Sequence, residues 1–316
     1  MYAPDVKTSF KNRFGPGVLF DTPLAPHLAY QIGGPADILV FPKSESDLEW
    51  IRTMALSSSL PITVIGTGTN LLVLDGGIRG ITISLSHGFN EIEVLTEIND
   101  KICVRVGAGV SKPGFLEWAM ERGFSGLEFS SGVPGTIGGG IFMNAGTKYG
   151  SYGDILKELR VFDFRHGAQT LLRNQVHFGY REQNAVKDAI ALTATFEIKQ
   201  GNREEIRKEV ERIIAERAEK QPLDFPSCGS TFKNPDGFSA GRLIEKAGLK
   251  GLSRGGAEIS LKHANFILNK GGAKASDILE LIRVIKETVL DQFGVLLNCE
   301  VIILGDNEAP KVQNKN

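Results

Sequence analysis

Several side chains that can transfer a proton lie close together at residues 226–235, whose sequence is PSCGSTFKNP. The segment carries serine and threonine hydroxyls, a thiol, an ammonium group and an amide. If it is extended, Cys228 and Ser230 point to the same side. The thiol is the stronger acid on paper, yet free cysteines are most often small buried residues. We therefore expect Cys228 to be structural, and the segment alone leaves open whether a serine reacts.

The composition indicates an ordinary globular protein. The chain has 316 residues, of which 41% are hydrophobic and 23% charged, with a formal net charge of −1. This length is sufficient for two or three domains. A charge near zero argues against nucleic acid or an anionic membrane as a bulk electrostatic partner. Small anions remain compatible with local basic sites.

The cysteines and histidines argue against a disulfide framework and against a metal site. Cys103, Cys228 and Cys299 are far apart, and the five histidines are equally scattered. This usage fits a reducing compartment. The first fifteen residues, MYAPDVKTSFKNRFG, lack the apolar core of a signal peptide. With no run of about 20 apolar residues either, we expect a cytoplasmic protein without a membrane span.

Short runs rich in β-branched residues end at Gly, Pro or Asn and predict strands. Together with the helices between them they indicate an α+β fold. We expect an N-terminal domain over 1–202 with two lobes (roughly 1–84 and 85–202), a smaller domain over 203–305 and a polar tail over 306–316. The predicted strands lie at 37–42, 62–66, 81–85, 102–109, 159–164, 189–198, 263–269 and 300–305.

Capping residues mark where the helices begin and end. Ser44 followed by Asp47 forms a capping-box pattern, and Ser111 with Pro113 opens a second helix that stops at Gly123. Apolar residues at helical spacing predict two more helices. These lie over 203–220 and 276–293, the last one ended by Gly294.

Two glycine-rich loops follow predicted strands. The first is GTGTNLLVLDGG (66–77), which matches neither a dinucleotide fingerprint nor a P-loop. By itself it is as compatible with a simple turn as with phosphate binding. The second, SSGVPGTIGGGIFMNAG (130–146), concentrates glycines at an entropic cost that a purely structural loop rarely carries. Two such loops in one domain favour an extended cofactor that contains phosphate.

In order along the chain, eight stretches resemble the UDP-N-acetylenolpyruvoylglucosamine reductase family. Each stretch is weakly specific alone, but the ordered series is highly specific and covers nearly the whole chain. The stretches are IGGPAD (32–37), GTGTNLLVLDGGIRG (66–80), GLEFSSGVPGTIGGGIFMNAG (126–146), FGYR (178–181), GSTFKNP (229–235), AGRLIEKAGLKG (240–251), HANFILN (263–269) and CEV (299–301).

This resemblance implies a two-lobed FAD-binding domain of the vanillyl-alcohol oxidase type, followed by a smaller α+β substrate-binding domain. FAD is expected to bind non-covalently along both glycine loops. The short interval after Tyr180 has no room for the extra loop of type I members, so the chain resembles the type II form. The implied cofactor-binding residues are Gly66, Thr67, Gly68, Thr69, Asn70, Leu71, Gly132, Pro134, Gly135, Thr136, Gly138, Asn144, Ala145, Gly146 and Arg181.

The implied reaction is the reduction of UDP-N-acetylglucosamine enolpyruvate to UDP-N-acetylmuramate in peptidoglycan synthesis. NADPH is the implied co-substrate, and FAD relays the hydride. Arg181 is the implied partner of the substrate carboxylate, Glu300 its orienting partner, and Ser230 the proton donor. We expect no nucleic acid, no membrane insertion, and a monomer or weak oligomer. The implied substrate-binding residues are Tyr180, Lys233, Asn234, His263 and Asn265, although His263 is also typical of a packed strand start.

Three positions depart from the family pattern: Gln31, Gln183 and Asn298 stand where Arg or Lys, Ser and Glu are common. Two other functions stay open. One is a different flavin oxidoreductase of the same fold that acts on a sugar or hydroxy acid. Many such enzymes attach flavin through a histidine, which neither glycine loop contains. The other is a nucleotide-binding module without catalysis, which would not need Arg181 and Ser230.

Overall fold

The computed structural model describes residues 4–186 and 188–307. Most of the predicted polar tail, 308–316, lies outside the described residues. The helices are α1 (Pro4–Phe14), α2 (Glu45–Ser57), α3 (Lys112–Arg122), α4 (Ile137–Phe142), α5 (Tyr152–Ile155), α6 (Arg203–Lys220), α7 (Ala240–Lys246) and α8 (Ala275–Phe293). The strands are β1 (Val18–Pro23), β2 (Pro35–Val40), β3 (Ile62–Ile65), β4 (Leu71–Val73), β5 (Ile78–Ser84), β6 (Ile92–Ile98), β7 (Lys101–Gly107), β8 (Phe124–Ser125), β9 (Gly146–Thr147), β10 (Gly150–Ser151), β11 (Leu156–Asp163), β12 (Gly167–Leu172), β13 (Phe178–Gly179), β14 (Glu182–Gln183), β15 (Ala189–Gln200), β16 (Ser253–Arg254), β17 (Ala257–Ile259), β18 (Ile267–Asn269) and β19 (Ile302–Leu304).

The chain forms two compact units that are not continuous in sequence. Unit 1 contains the chain up to Val18, Val40–Gly66 and Ile83–Glu219. Unit 2 contains Leu19–Leu39, Thr67–Thr82 and the chain from Lys220 onward. The predicted boundaries follow the sequence and therefore differ from these units. Two short N-terminal segments pack with the C-terminal third, which continuous boundaries do not anticipate.

Unit 1 is organised around an antiparallel sheet with the order β12–β11–β15–β7–β6, and β8 pairs with the end of β15. Strand β15 contains several β-branched residues and one aromatic residue, Phe196, and is mostly buried. Helix α3 packs its aromatic side chains on this sheet, with the rings of Phe115 and Phe196 stacked at 5.7 Å between centroids. This sheet and helix support the second glycine loop.

Unit 2 has a core built around helix α8, which buries Ile278, Ile282 and Val289 on one face. The antiparallel sheet β16–β17–β18 packs beside it, and β19 pairs in parallel with β4. Tyr30 is fully buried in this core, and its hydroxyl donates to the carbonyl of Ile267 at 2.9 Å. The same core includes Leu72 and Leu74 of the first glycine loop.

The predicted helix limits are confirmed, because their capping geometry is as the sequence indicates. Ser44 Oγ accepts from Asp47 N at 3.2 Å, and Ser111 Oγ accepts from Gly114 N at 3.1 Å. Gly123 and Gly294 adopt the left-handed conformation at the helix ends. The strand predicted over 263–269 is wrong in extent, since only Ile267–Asn269 pairs. Its first residues form a turn, in which Phe266 N donates to His263 O at 3.0 Å.

Candidate active site

The segment 226–235 lies in unit 2 and is held by backbone hydrogen bonds on both sides. Thr231 N donates to Asn265 O at 2.7 Å, and Lys233 N donates to Asn298 O at 2.9 Å. Glu300 N donates to Thr231 O at 2.8 Å. The last bond places the residue after Ser230 directly against Glu300. Glu300 therefore shares a backbone network with the neighbour of Ser230, and Ser230 itself is half-buried.

Asn265 fixes the position of this segment through its side chain. Its Oδ1 accepts from Phe232 N at 2.9 Å, and its Nδ2 donates to Phe232 O at 2.8 Å. The residue is only 3% exposed. Because both amide atoms bind the main chain, Asn265 acts as a positioning residue in this structure. The prediction that it binds substrate directly is not supported by this geometry.

Cys228 is a buried structural residue, as its type predicts. Its thiol donates to Leu71 O at 2.9 Å, and burial raises its pKa well above the ordinary value. Gly229 has a φ of +72°, so the segment is not extended at this point. The expectation that Cys228 and Ser230 point to the same side required an extended segment and is not met. The thiol is thus a poor acid and is bonded away into the core.

The first glycine loop connects the same network to the rest of unit 2. Asn70 Nδ2 donates to Glu300 O at 3.0 Å, and Asn70 O accepts from Ile302 N at 3.0 Å. Gly68 has a φ of +66°, and a Cβ there would lie 2.9 Å from the Cα of Leu28. Only glycine fits both conditions. Asn70 therefore positions Glu300 with its side chain, a role that the sequence did not indicate.

Asp75, in the same loop motif, caps a distant helix. Its two carboxylate oxygens accept from Ala275 N at 2.8 Å and Ser276 N at 3.0 Å. A carboxylate at a helix N-terminus is stabilised by the unpaired N–H groups there. The aspartate of GTGTNLLVLDGG is thus structural, since it fixes helix α8 rather than facing a ligand.

The second glycine loop lies in unit 1 and follows the strand and helix that precede it. Lys112 N donates to Gly135 O at 2.8 Å, and Gly138 N donates to Ala108 O at 2.9 Å. A Cβ on Gly138 would lie 3.1 Å from the Cβ of Ala108. Thr136 caps helix α4, with Oγ1 accepting from Gly139 N at 3.3 Å. Gly138 is therefore required for packing within the protein, whereas Gly132 and Pro134 are exposed.

Arg181 lies at the tip of a two-residue hairpin turn in unit 1. Strands β13 and β14 pair Phe178 with Gln183 and Gly179 with Glu182, which leaves Tyr180 and Arg181 as the turn. Arg181 has a φ of +58°, a conformation that costs a non-glycine residue about 1 kcal/mol or more. Its guanidinium lies 5.2 Å from the centroid of the Tyr180 ring. A strained backbone at this residue indicates that the surrounding contacts impose its position.

Asn144 supplies one of those contacts. Its Nδ2 donates to Gly179 O at 2.9 Å, and its Oδ1 accepts from Gly153 N at 3.1 Å. A Cβ on Gly153 would lie 2.8 Å from the Phe178 ring, so the hairpin packs closely here. Asn144 was predicted to bind the cofactor. Its side chain instead holds the hairpin that carries Arg181, while its backbone stays available for that role.

The other predicted substrate-binding residues differ in accessibility. Tyr180 is 53% exposed, and Lys233 is half-buried. Asn234 Oδ1 accepts from Ala240 N at 3.0 Å and so caps helix α7. His263 packs edge-on against Phe266, accepts at Nδ1 from Asn265 N, and has a pKa lowered by burial. His263 therefore has the packing of a structural residue, the alternative noted for it from sequence.

The comparisons with known proteins match both the part of the chain that contains the glycine loops and the part that contains the segment 226–235. A model of the UDP-N-acetylenolpyruvoylglucosamine reductase C-terminal domain matches residues 221–304, and an FAD binding domain model matches residues 36–171. The UDP-N-acetylenolpyruvoylglucosamine reductase of Clostridioides difficile is 44% identical over 289 residues, which are 91% of this chain and 93% of that protein. The chain belongs to the UDP-N-acetylenolpyruvoylglucosamine reductase family.

Further family members give the same result. The reductase of Pediococcus pentosaceus is 40% identical over 293 residues, 92% of this chain and 95% of that protein. The crystal structure of UDP-N-acetylenolpyruvylglucosamine reductase from Thermus caldophilus has a TM-score of 0.77 and 34% identity. The match covers 91% of this chain and 98% of that one. The predicted family and its α+β fold with an FAD-binding domain are confirmed, and this member of the reductase family is an FAD-dependent oxidoreductase.

The residues of this reductase family member fit FAD. The Nε of Arg217 is buried and has no hydrogen-bond acceptor in the described part of the chain. It would lie 3.0 Å from a Cβ on Gly132, which is exposed. An unsatisfied buried donor beside an open glycine loop suits an anionic or carbonyl oxygen of a ligand. In unit 1, the glycine loop at 132–138 is the segment that would hold the cofactor.

Two cations near the second glycine loop were missed by the sequence analysis. Lys112 is only 5% exposed, and its pKa is lowered to about 7 by burial and by the charges of Arg181 and Arg217. Burial and Arg181 also lower the pKa of Arg217. The sequence signal was weak, because Lys112 looks like an ordinary first residue of helix α3. Among residues 4–186 and 188–307, no group of His, Cys, Asp and Glu could hold a metal ion.

At each of the three positions that depart from the family pattern, the structure shows a hydrogen bond within the protein. Gln183 Oε1 accepts from Val186 N at 2.8 Å, which closes the chain after the Arg181 hairpin. Asn298 contributes its backbone carbonyl to Lys233 N. Gln31 has a φ of +54°, and its N donates to Leu28 O at 3.0 Å.

Within the described residues, no helix has the length and apolar character needed to cross a membrane.

Proposed function

We propose that NADPH is the reductant and Ser230 the proton donor in the reaction of this protein, the FAD-dependent reduction of UDP-N-acetylglucosamine enolpyruvate to UDP-N-acetylmuramate for peptidoglycan synthesis. The observation that supports this most is the bond from Glu300 N to Thr231 O, which holds the Ser230 segment against Glu300. It occurs in a chain that is 44% identical to a curated reductase over 91% of its length. A monomer or weak oligomer in the cytoplasm is part of the same proposal.

FAD, when bound, supplies the hydride relay between NADPH and the enolpyruvyl group. Arg181 binds the carboxylate of that group through its planar guanidinium, which stays charged as electron density accumulates there. Its strained turn conformation keeps the guanidinium in one place. A preorganised cation of this kind needs no reorganisation when negative charge develops.

Ser230 donates the proton that the α-carbon requires after hydride addition. An alcohol is a weak acid, but it is protonated at every working pH and a carbanion-like centre is a strong base. Cys228 cannot replace it, because its thiol is bonded to Leu71 O in the core. Glu300 orients the substrate carboxylate, and the network through Thr231 and Asn70 fixes its backbone.

The nucleotide sugar binds to the remaining candidates. Lys233 and Tyr180 present an ammonium group and an exposed ring, respectively, which suit the diphosphate and the sugar or base. Asn234, His263 and Asn265 support the site through their structural contacts. The same pocket residues serve NADPH and the sugar nucleotide in turn, which accounts for the lack of a separate nucleotide fingerprint in the sequence.

Anaerobic stopped-flow kinetics of the two half-reactions tests the proposal. Ser230→Ala is expected to leave flavin bleaching by NADPH fast and to slow reoxidation by the enolpyruvyl substrate about 100-fold or more. Ser227→Ala, in the same segment, is the matched control and is expected to behave like wild type. Reoxidation at the wild-type rate in Ser230→Ala, with loss in Cys228→Ala, would contradict the assignment of the donor.

A broader failure has a different signature. If wild-type protein loaded with FAD is bleached by NADPH but never reoxidised by the enolpyruvyl nucleotide, the substrate is misassigned. If NADPH does not bleach the flavin, the reductant is misassigned. Thus the donor, the substrate and the reductant are tested by separate observations.

A further inference from the structure

Lys112 has a buried side chain, and no carboxylate of the described residues forms an ion pair with it. The residue is 5% exposed, and its side chain passes beneath helix α4, where a Cβ on Gly140 would lie 3.3 Å from its Cδ. No hydrogen bond or ion pair joins its Nζ to any residue of the described chain. A buried lysine without a partner is costly when charged. Its presence therefore needs a reason that the protein alone does not give.

The charged groups around Lys112 make its isolation more severe. Arg181 on the hairpin and Arg217 on helix α6 both act on Lys112 as like charges. Tyr152 on helix α5 lies beside the same Gly140 position, and it is neutral because burial raises its pKa. Helix α4 contributes only glycine here. No carboxylate acts on Lys112 from any of these elements.

Arg217 gives a second, independent indication of a missing acceptor. Its Nε is buried and unbonded within the described residues, next to the position that a Cβ of Gly132 would occupy. An unsatisfied buried donor costs more than an ordinary lost hydrogen bond. Lys112 borders the same glycine loop, since its backbone N donates to Gly135 O. The loop beside Lys112 is therefore one at which Arg217 already indicates a ligand anion.

We propose that Lys112 completes a site for the substrate carboxylate together with Arg181, and that Lys112 takes up a proton when this carboxylate arrives there. This rests on the proposed function, in which Arg181 binds that carboxylate. Lys112 is a positioning residue in this reaction, because its new charge holds the carboxylate against Arg181. The proton comes from solvent, and no covalent bond changes.

The physical reason is a linkage between binding and protonation. Lys112 has a pKa of about 7 in the protein alone, so at pH 8 about one-tenth of the molecules carry this charge. An adjacent carboxylate favours the charged form and raises the pKa. Binding at pH 8 is therefore accompanied by uptake of up to about 0.9 proton. Above pH 7, affinity weakens by at most about tenfold per pH unit.

Calorimetric titration of the FAD-loaded protein in two buffers of different ionisation enthalpy measures this uptake. At pH 8, UDP-N-acetylglucosamine enolpyruvate is expected to bind with uptake of about 0.9 proton. UDP-N-acetylglucosamine has the diphosphate but no enolpyruvyl carboxylate, and is expected to bind without uptake. Lys112→Met preserves the apolar stem and is expected to abolish the uptake and flatten the pH dependence of affinity. Lys101→Met, at an exposed lysine, is expected to leave both unchanged.

The outcomes separate this inference from the proposed function. Equal uptake in wild type and Lys112→Met would overturn the role of Lys112. Equal uptake with both nucleotides would overturn the carboxylate as the ligand, since it would assign the proton to diphosphate binding. If Lys112→Met does not fold, zero uptake in the wild type still contradicts the proposal. Normal turnover with no uptake would leave the proposed function standing and remove only this inference.

Discussion

The candidate residues form two clusters, one in each unit, and the residues of the two clusters are held in position by different kinds of contact. In unit 1, Lys112, Arg181 and Arg217 are cations whose positions are costly: one is unpaired, one has a strained backbone and one has an unsatisfied Nε. In unit 2, Glu300 and the neighbours of Ser230 belong to a network in which Asn70 and Asn265 bind the main chain. The first cluster contains a donor without an acceptor in the described residues, whereas the backbone of the second is held by hydrogen bonds within the protein.

This difference matches the two tasks of the proposed reaction. A cation cluster stabilises negative charge best when its own charges are uncompensated, because a resident carboxylate would compete with the ligand. A proton donor needs a fixed position rather than a strong field, since its hydroxyl is protonated at all working pH values. The energetically costly side chains therefore lie in unit 1, where the substrate carboxylate is expected to bind. Removing a cation of unit 1 is expected to weaken binding or catalysis without loss of stability, whereas breaking the network of unit 2 is expected to lower stability as well.

Arg181→Met tests the cation cluster most directly and has the largest expected effect. Loss of the guanidinium removes the stabilising charge, so reoxidation of reduced flavin by the enolpyruvyl substrate is expected to slow about 1000-fold. Stopped-flow absorbance of the flavin measures it. Arg122→Met, at an exposed residue of helix α3, is the control and is expected to react at the wild-type rate. An Arg181→Met rate within fivefold of wild type would contradict the role of Arg181.

Lys112→Met tests whether the buried ammonium group of Lys112 lowers the free energy of unfolding. The folded protein lowers the pKa of Lys112 to about 7, from an ordinary value of 10.5. The unfolded chain therefore binds more protons between pH 7 and 10.5, and this destabilises the native state increasingly as the pH falls toward 7. Removing the amine is expected to raise the free energy of unfolding at pH 7 by on the order of a few kcal/mol, and by much less at pH 10.

Urea unfolding at both pH values, followed by circular dichroism, measures this gain. Lys101→Met is again the control, because that ammonium is exposed and its loss is expected to change stability little. A Lys112→Met protein that is less stable than wild type at pH 7 would mean that the ammonium is paired in solution.

Asn265→Ala tests the network of unit 2. The change removes two hydrogen bonds and leaves buried N–H and C=O groups of Phe232 unsatisfied, so a loss of about 2 kcal/mol in the free energy of unfolding is expected. Reoxidation by substrate is expected to fall as well, since Ser230 is displaced. Asn202→Ala, at an exposed residue before helix α6, is the control and is expected to reduce stability less. An Asn265→Ala protein with native stability but impaired substrate affinity would instead favour direct substrate contact.

The sequence predicted the helix ends better than the long-range contacts that position the candidate site residues. Helix ends at Ser44, Gly123 and Gly294 were predictable, because capping depends on neighbours in sequence. The roles of Asn70 and Asn265 were not, since their partners at Glu300 and Phe232 are 230 and 33 residues away. Lys112 was missed for the same reason. Its burial depends on Gly140 and Tyr152, which only the fold brings beside it.

Cys228→Ala has the smallest expected effect and separates the thiol from the chemistry. Its Sγ is buried and bonded to Leu71 O, so its removal leaves a small cavity and is expected to cost about 1 kcal/mol of stability with turnover within twofold of wild type. In the native protein, alkylation by iodoacetamide, mapped by mass spectrometry, is expected at the half-buried Cys103 and Cys299 before Cys228. A thiol needs to be both accessible and ionised to react, and Cys228 is neither. Rapid alkylation of Cys228 with simultaneous loss of reoxidation would place the thiol at the reacting carbon, and unit 2 would then no longer be the satisfied cluster of the two.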